Sequence, residues 1–153
     1  MIYWDIDGVI RGLSQEIWGF VPDEWSHKVA GKTIVEAVNA RPEICATAPP
    51  LEYLSVLNNQ SDAKILSSQP DSWRHWTNSW LNRNVLITYT VQYVEDTKEK
   101  LGQLSPGDWL IDDSPIFEDF SQIILVDRPY NRSIECPNRV CSPWELGRFL
   151  STR

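Results

Sequence analysis

Short apolar runs, separated by segments with helical spacing, make up most of the chain. Continuous apolar runs of this length are typical of strands that are covered on both faces of a parallel sheet. Five runs qualify, at 2–5, 63–67, 85–89, 109–112 and 123–126. We therefore predict five buried strands.

Helical periodicity fills most of the intervals between these strands. Apolar residues recur at helical spacing in the segments 71–82, 96–104 and 143–150. Asp71 or Ser72 can cap the first of these helices, whereas Ser142 precedes Pro143 at the start of the last one. Strands that alternate with helices predict an α/β fold whose parallel sheet is wrapped by helices on both faces.

The segment 11–59 interrupts this alternation. It contains no convincing buried strand and is too long for one crossover connection. Loose helical periodicity at 23–39 and 49–57 predicts a small helical insertion over the carboxyl edge of the sheet. The corresponding domain division is an α/β core formed by 1–10 and 60–153, with 11–59 as a cap.

Composition narrows the class of protein. The 153 residues suffice for one domain, and the net charge of −7 argues against a nucleic-acid duplex as partner. No stretch approaches the ~20 apolar residues of a membrane span. The N-terminus lacks the features of a signal peptide. We expect a cytoplasmic protein that does not associate with membranes, and the sequence leaves its oligomeric state open.

The cysteines agree with a reducing compartment. Three cysteines and two histidines form neither a disulfide framework nor a zinc pattern, which favours reduced thiols. Cys136 and Cys141 share a proline-bearing loop, so a bridge between them is the alternative.

Two carboxylates at the end of the first strand are the most informative feature. Asp5 and Asp7 follow an apolar run and precede Gly8, which permits the backbone turn that lets both acids reach one site. A divalent cation is the usual compensation for adjacent carboxylates, and oxygen ligands favour Mg²⁺. The alternative is a strand that ends in solvated acids.

Polar residues follow the other predicted strands in the same way. Parallel strands place their carboxyl ends at one edge of the sheet, where ligands of open α/β sheets bind. The residues concerned are Ser67, Ser68, Lys98, Asp112 and Asp113. Carboxylates, hydroxyls and a lysine together are suited to phosphate chemistry. The purely structural alternatives are that the serines cap the next helix and that the two acids form a turn before Pro115.

Four motifs occur in order along the chain and span residues 5–113, namely Asp-x-Asp-Gly-Val, Ile-Leu-Ser-Ser, a lysine, and Leu-Ile-Asp-Asp-Ser. This ordered set resembles the haloacid dehalogenase superfamily of phosphohydrolases. The stretches 126–131 and 139–144 are similar to the 5′(3′)-deoxyribonucleotidase subgroup. The resemblance implies a three-layer Rossmann-like fold with a small helical cap after the first strand.

The resemblance also implies catalytic roles. Asp5 would be the nucleophile that forms an aspartyl-phosphate, and Asp7 the general acid and then the base. Ser67 would hydrogen-bond a phosphate oxygen, assisted by the Ser68 amide. Lys98 would neutralise phosphate charge, although Lys100 competes with it for this role.

The same resemblance implies a magnesium site. Its ligands would be Asp5, Asp7 through its backbone carbonyl, Asp112, and Asp113 directly or through water. Gly8 would accompany Ser68 among the groups around the substrate. The chain departs from the subgroup in having Ser-Ser where Thr-Ser is usual, and in its shorter insertion.

Aromatic residues near the start of the insertion are candidates for substrate contact. Trp18, Phe20 and Trp25 can form a wall on which a nucleobase or another flat group stacks. The alternative is that they pack the cap onto the sheet.

These observations predict a Mg²⁺-dependent phosphomonoesterase that acts on a small phosphorylated substrate, with a (deoxy)nucleoside monophosphate as the first choice. Two alternatives keep the phosphatase chemistry, with a sugar phosphate or a nucleic-acid terminal phosphate as substrate. A receiver-like or other non-catalytic phosphate-binding domain is the alternative from a different class.

Overall fold

A single sheet of six parallel strands organises the fold. The computed structural model describes residues 1–153. The strands lie in the spatial order β3-β2-β1-β4-β5-β6. This is a Rossmann-like order, which changes direction between β1 and β4. The strands are β1 Ile2–Trp4, β2 Asp62–Ser68, β3 Thr88–Val94, β4 Trp109–Asp112, β5 Ile123–Val126 and β6 Arg139–Val140.

Helices and loops cover both faces of the sheet. The α-helices are α1 Leu13–Trp18, α2 Ile34–Ala40, α3 Ile44–Thr47, α4 Leu54–Leu57, α5 Asp71–Asn84 and α6 Pro143–Ser151. Three short 3-10 helices complete the chain, at Thr97–Gln103, Pro115–Phe117 and Pro129–Asn131. No helix is long and apolar enough to cross a membrane. All three cysteines are unpaired.

Side chains alternate between the two faces of the sheet, as the two-residue period of a strand requires. In β1, Ile2 and Trp4 pack in the main core, whereas Tyr3 packs in a smaller cluster on the opposite face. In β4, Ile111 belongs to the main core and Leu110 to the opposite face. The main core also contains residues of α4, α5 and α6, and the opposite face carries Leu101 and Leu104 from around the first 3-10 helix.

The predicted α/β class and most of the strands are confirmed. The bounds of β4 and β5 agree with the prediction, and those of β1 and β2 differ by one residue at each displaced end. The third strand lies later than the predicted 85–89 because α5 continues to Asn84, with the Val85 amide still bonded to the Leu81 carbonyl at 2.9 Å. The two-residue strand β6 was not predicted.

The predicted helix at 23–39 is wrong over most of its length. Only Ile34–Ala40 is helical, and it begins at a capping box formed by Thr33 and Glu36. Ala30 and Gly31, at φ 51° and 77°, break the chain direction before it. At 49–57 only α4 is helical, and α1 and α3 were not predicted.

The predicted insertion consists of two structurally different parts. Helices α1 to α3 form their own apolar cluster with Trp73 of α5. By contrast, Tyr53, Val56 and Leu57 belong to the main core. The part of 11–59 that forms a separate cover over the sheet edge is therefore the part that precedes α4.

Trp80 and Trp4 are the largest fully buried side chains of the main core. Trp80 is 1% exposed in the main core, and its Nε1 donates to the Ala48 carbonyl at 2.7 Å. Trp80→Ala should lower the free energy of unfolding by about 3–5 kcal/mol. Trp80→Phe should cost about 1–3 kcal/mol, mainly because the Ala48 carbonyl loses its donor. Chemical denaturation measures both. The matched control Trp144→Phe, at a residue 66% exposed, should change little, and an equal loss there would contradict the assignment.

Candidate active site

Two carboxylates lie side by side where β1 and β4 end. Trp4 pairs with Ile111 in the parallel register, and the Asp5 amide donates to the Ile111 carbonyl at 2.9 Å. Since Trp4 and Ile111 point into the main core, strand alternation directs Asp5 and Asp112 to the opposite face. The order of strands reverses between β1 and β4, which is where open α/β sheets form a ligand crevice.

Lys100 bridges these two carboxylates. Its Nζ lies 2.8 Å from Oδ1 of Asp5 and 2.8 Å from Oδ2 of Asp112, and the side chain is 1% exposed. Burial opposes charge on this ammonium, but Asp112 and Asp5 outweigh burial and raise the pKa of Lys100. It therefore stays protonated between the carboxylates.

The preference for Lys98 over Lys100 is corrected by this geometry. Lys98 is exposed, and its side chain is absent from the cleft. A 3-10 helix has about three residues per turn, so Lys100 lies in line with Thr97, which also lines the cleft, whereas Lys98 is turned away by ~120°. The sequence preference rested on motif spacing, which does not determine the direction of a side chain.

Asp113 completes a group of three buried carboxylates. Tyr130 donates a hydrogen bond to its Oδ2, and Asn131 Nδ2 donates to its backbone carbonyl at 2.8 Å. Gly8, at φ 81°, lies so close that a Cβ at this position would overlap the Asp113 carboxylate. Gly8 therefore permits both the turn after β1 and the approach of Asp113.

The donor set of this group fits a divalent cation. Carboxylate oxygens of Asp5, Asp112 and Asp113 lie within 4.8 Å of one another. With all three ionised, Lys100 offsets only one of three negative charges. Oxygen donors with two uncompensated charges are suited to Mg²⁺. The side chain of Asp7, which the sequence predicted as a ligand through its backbone carbonyl, lies outside this group. The Asp7 carbonyl oxygen accepts no hydrogen bond within the protein, so it remains available as a ligand.

Without a cation, protons reduce this excess negative charge. Burial raises the pKa of Asp5 to about 7, against the opposing effect of Lys100 and with a further increase from Asp112. Burial, together with Asp112 and Asp5, raises the pKa of Asp113 well above its usual range. Binding of a cation at this site is therefore expected to release protons from these carboxyl groups.

Asp7 has a separate cationic partner. Arg11 donates from Nε to Oδ1 at 2.7 Å and from Nη2 to Oδ2 at 3.0 Å. Gln69 Nε2 adds a third hydrogen bond to Oδ2 at 3.0 Å. The Asp7 side chain still lines the cleft, with 24% of it exposed.

Ser67 and Ser68 lie where the sequence predicted, at the end of β2 and in the cleft wall. Ser67 is buried and accepts a hydrogen bond from Gln69 Nε2 at 3.2 Å, while the Ser68 hydroxyl lies 2.9 Å from that of Thr97. The N-cap of α5 is Pro70, and no side chain caps this helix. The alternative that the serines cap the next helix is therefore wrong.

The cover contributes an aromatic wall to the cleft. Trp18 and Trp25 line it, and Trp25 packs against Tyr130 with ring centroids 5.2 Å apart. Phe20 is not part of the lining, because it stacks on Trp18 at a centroid distance of 6.0 Å and lies 45% exposed. The cavity volume is about 180 Å³.

Sequence reasoning missed several residues that shape this site. Arg11, Gln69 and Tyr130 each hold one of the carboxylates, and Thr97 and Ser114 line the cleft. Tyr130 lies in the stretch 126–131, whose resemblance to the nucleotidase subgroup was the only available signal. Arg11 offered another signal, as a cation four residues from Asp7, but its burial follows from the tertiary structure.

A scan against models of protein families and a search of curated proteins both find no match for this chain. Its function must therefore be inferred from the geometry of the cleft.

Proton and metal binding at this site should oppose each other. In the metal-free folded protein, Asp5 keeps its proton up to about pH 7, whereas the unfolded chain releases it near pH ~3.9. The Asp5 contribution to the free energy of unfolding therefore falls as the pH rises through this interval. Mg²⁺ must displace the proton, so we expect Mg²⁺ to raise the melting temperature more at about pH 8 than at about pH 5.

Thermal denaturation with Mg²⁺ or EDTA measures this difference. Asp112→Asn should abolish the Mg²⁺ effect, and Asp62→Asn, which removes an exposed carboxylate from β2, should retain it. Equal Mg²⁺ effects at both pH values, or in the wild type and Asp112→Asn, would contradict a metal site here.

Proposed function

We propose that this protein is a Mg²⁺-dependent phosphomonoesterase of the haloacid dehalogenase type, with the cover before α4 as its cap. One observation carries the proposal. Three buried carboxylates and one buried lysine meet beneath an aromatic wall, at the point of the sheet where ligands of this architecture bind. The order of Asp5, Ser67, Lys100 and Asp112 along the chain agrees with the motif order described above.

Asp5 is the nucleophile in this proposal. Lys100 contacts its Oδ1, which leaves Oδ2 as the attacking oxygen. A bond forms between Oδ2 and phosphorus, and the bond from phosphorus to the leaving oxygen breaks, with its electron pair remaining on that oxygen. The product is an aspartyl-phosphate and an alcohol, which divides the hydrolysis into two easier steps.

Asp7 transfers the protons. To act in the first step it must carry a proton when the substrate binds, and it donates this proton to the leaving oxygen. In the second step it accepts a proton from the water that attacks phosphorus, and inorganic phosphate and free Asp5 result. Ser67, Ser68 and Lys100 bind the phosphate oxygens, with Lys100 as the fixed positive charge that stabilises the transition state. Mg²⁺, held by Asp5, Asp112, Asp113 and the Asp7 carbonyl, would supply Lewis-acid polarisation of the phosphate.

The cap favours a flat leaving group. Its contribution to the cleft contains no charged side chain and consists of Leu13, Ser14, Trp18, Pro22, Trp25, Ile34 and Val35. An aromatic and aliphatic wall stacks a nucleobase at about 1–3 kcal/mol per base, whereas it offers few partners to the hydroxyls of a sugar. A (deoxy)nucleoside monophosphate is therefore preferred over a sugar phosphate as substrate.

The order of strands argues against the receiver-like alternative. Receiver domains have the flavodoxin-like strand order 2-1-3-4-5, whereas here β1 lies between β2 and β4. A cover of three helices over the strand ends is also absent from that alternative.

Asp5→Asn should abolish turnover. We expect the release of phosphate from p-nitrophenyl phosphate and from nucleoside monophosphates to require Mg²⁺ and to fall by roughly 10⁴-fold or more in this variant, because the covalent route is lost. Colorimetric phosphate assays with Mg²⁺ or EDTA measure this, with Asp62→Asn as the control that retains activity. Undiminished turnover in Asp5→Asn would exclude the nucleophile, and no release by the wild type from any substrate would exclude the phosphatase.

Lys100 and Lys98 form a matched pair on one short helix. Lys100→Met should lower kcat by roughly 10²–10³-fold, because the phosphate and Asp5 lose their fixed positive charge. Lys98→Met, which removes an exposed cation, should remain close to wild type. Steady-state kinetics on both variants measures the difference. A larger loss in Lys98→Met would restore the original sequence preference.

A further inference from the structure

Arg11 is the most unusual charged residue in the molecule. It follows the Asp7–Gly8 turn and is completely buried, with 0% of its surface exposed. Its guanidinium also lies over the ring of Trp80, 5.7 Å from the ring centroid. Buried arginines are rare because removing the charge from water is costly, so the contacts of this one require an explanation.

Three of the four hydrogen bonds of the guanidinium lead directly or indirectly to Asp7. Two of its nitrogens hold the two oxygens of Asp7, as described above. The remaining Nη1 donates to Thr77 Oγ1 at 3.0 Å and to the Cys45 carbonyl at 2.7 Å. Thr77 in turn donates to Gln69 Oε1 at 2.7 Å, and Gln69 donates to Asp7. The result is a closed ring of hydrogen bonds with Asp7 as its only member that lines the cleft.

This ring spans three parts of the fold. Arg11 comes from the turn after β1, Gln69 from the end of β2, and Thr77 from the middle of α5. Cys45 belongs to α3, in the cover, so the cover also contacts the group that holds Asp7. Stability alone does not explain this assembly, because a buried ion pair is often no more stabilising than apolar residues of similar size.

We propose that Arg11 is a positioning residue, which holds the Asp7 carboxylate in one orientation toward the leaving group and ties that orientation to the position of helix α3. The inference depends on the proposed function, because it assigns Asp7 the proton transfer described there. The Asp7 carboxylate stands outside the group of three buried carboxylates, and both of its oxygens are held by Arg11.

The dependence of kcat on the leaving group distinguishes a positioning role of Arg11 from an effect on stability alone. p-Nitrophenolate departs without help from an acid, whereas the alkoxide of a nucleoside 5′-monophosphate must be protonated as it leaves. Loss of the orientation of Asp7 should therefore affect the second substrate selectively. A simple loss of folded protein would reduce turnover of both substrates by the same factor.

The experiment compares kcat for p-nitrophenyl phosphate and a nucleoside 5′-monophosphate in Arg11→Met, Arg11→Lys and Gln69→Met. Arg11→Met should lower kcat for the nucleotide roughly 10²-fold more than kcat for p-nitrophenyl phosphate, with KM nearly unchanged. Arg11→Lys should recover part of this difference through a single donor. Gln69→Met should shift the ratio in the same direction by less, and it carries the test if Arg11→Met does not fold.

Arg83→Met is the matched control. Arg83 is an exposed arginine of α5 that donates to the Ala46 carbonyl of α3, so this variant removes a contact between cover and core without touching Asp7. Its ratio of the two kcat values should equal that of the wild type. Equal losses on both substrates in the Arg11 and Gln69 variants would overturn the positioning role. A wild type that releases no phosphate would overturn the proposed function and this inference with it.

Discussion

The rest of the site depends on one electrostatic constraint, namely that three carboxylates are buried together with a single lysine. Asp5, Asp112 and Asp113 lie at the switch point of the sheet, and Lys100 offsets only one of their charges. Burial raises the pKa of Asp5 to about 7 in response. Such an arrangement has a cost in stability. The proposed divalent cation would supply the positive charge that the three carboxylates lack.

The second acid of the motif is treated differently by the fold. Asp7 is separated from the other carboxylates and given its own cation, Arg11, at 2.7 Å. Two carboxylates from one short motif therefore occupy two electrostatic environments, one deficient in positive charge and one balanced. In the proposed reaction the two acids have different roles, since Asp5 attacks phosphorus and Asp7 transfers the protons. The ring of hydrogen bonds behind Asp7 maintains the separation and reaches into the cover.

The cover forms the aromatic wall of the cleft, although its own apolar core is small. This core is anchored through Trp73 of α5 and the contacts of Trp80 and Arg11 with the carbonyls of Ala48 and Cys45. Trp25 meets Tyr130, which in turn holds Asp113. The aromatic wall is therefore linked through Tyr130 to Asp113, one of the three buried carboxylates. A ligand that stacked on Trp25 would lie against a side chain that packs on this tyrosine.

The α/β class, the positions of most strands and the identity of the carboxylates could be predicted from the sequence, because apolar periodicity and residues at strand ends are local properties. The sequence did not determine the helices of the cover, where turns at Ala30 and Gly31 overrode the loose periodicity of 23–39. Nor did it distinguish Lys98 from Lys100, separate Asp7 from the three buried carboxylates, or indicate that Arg11 is buried. Those outcomes are decided by the direction of side chains relative to packed neighbours and by contacts between distant segments, such as that of Gln69 with Asp7. Only the tertiary structure brings these groups together, because their interaction energies exist only after β1, β2, β4 and α5 have assembled.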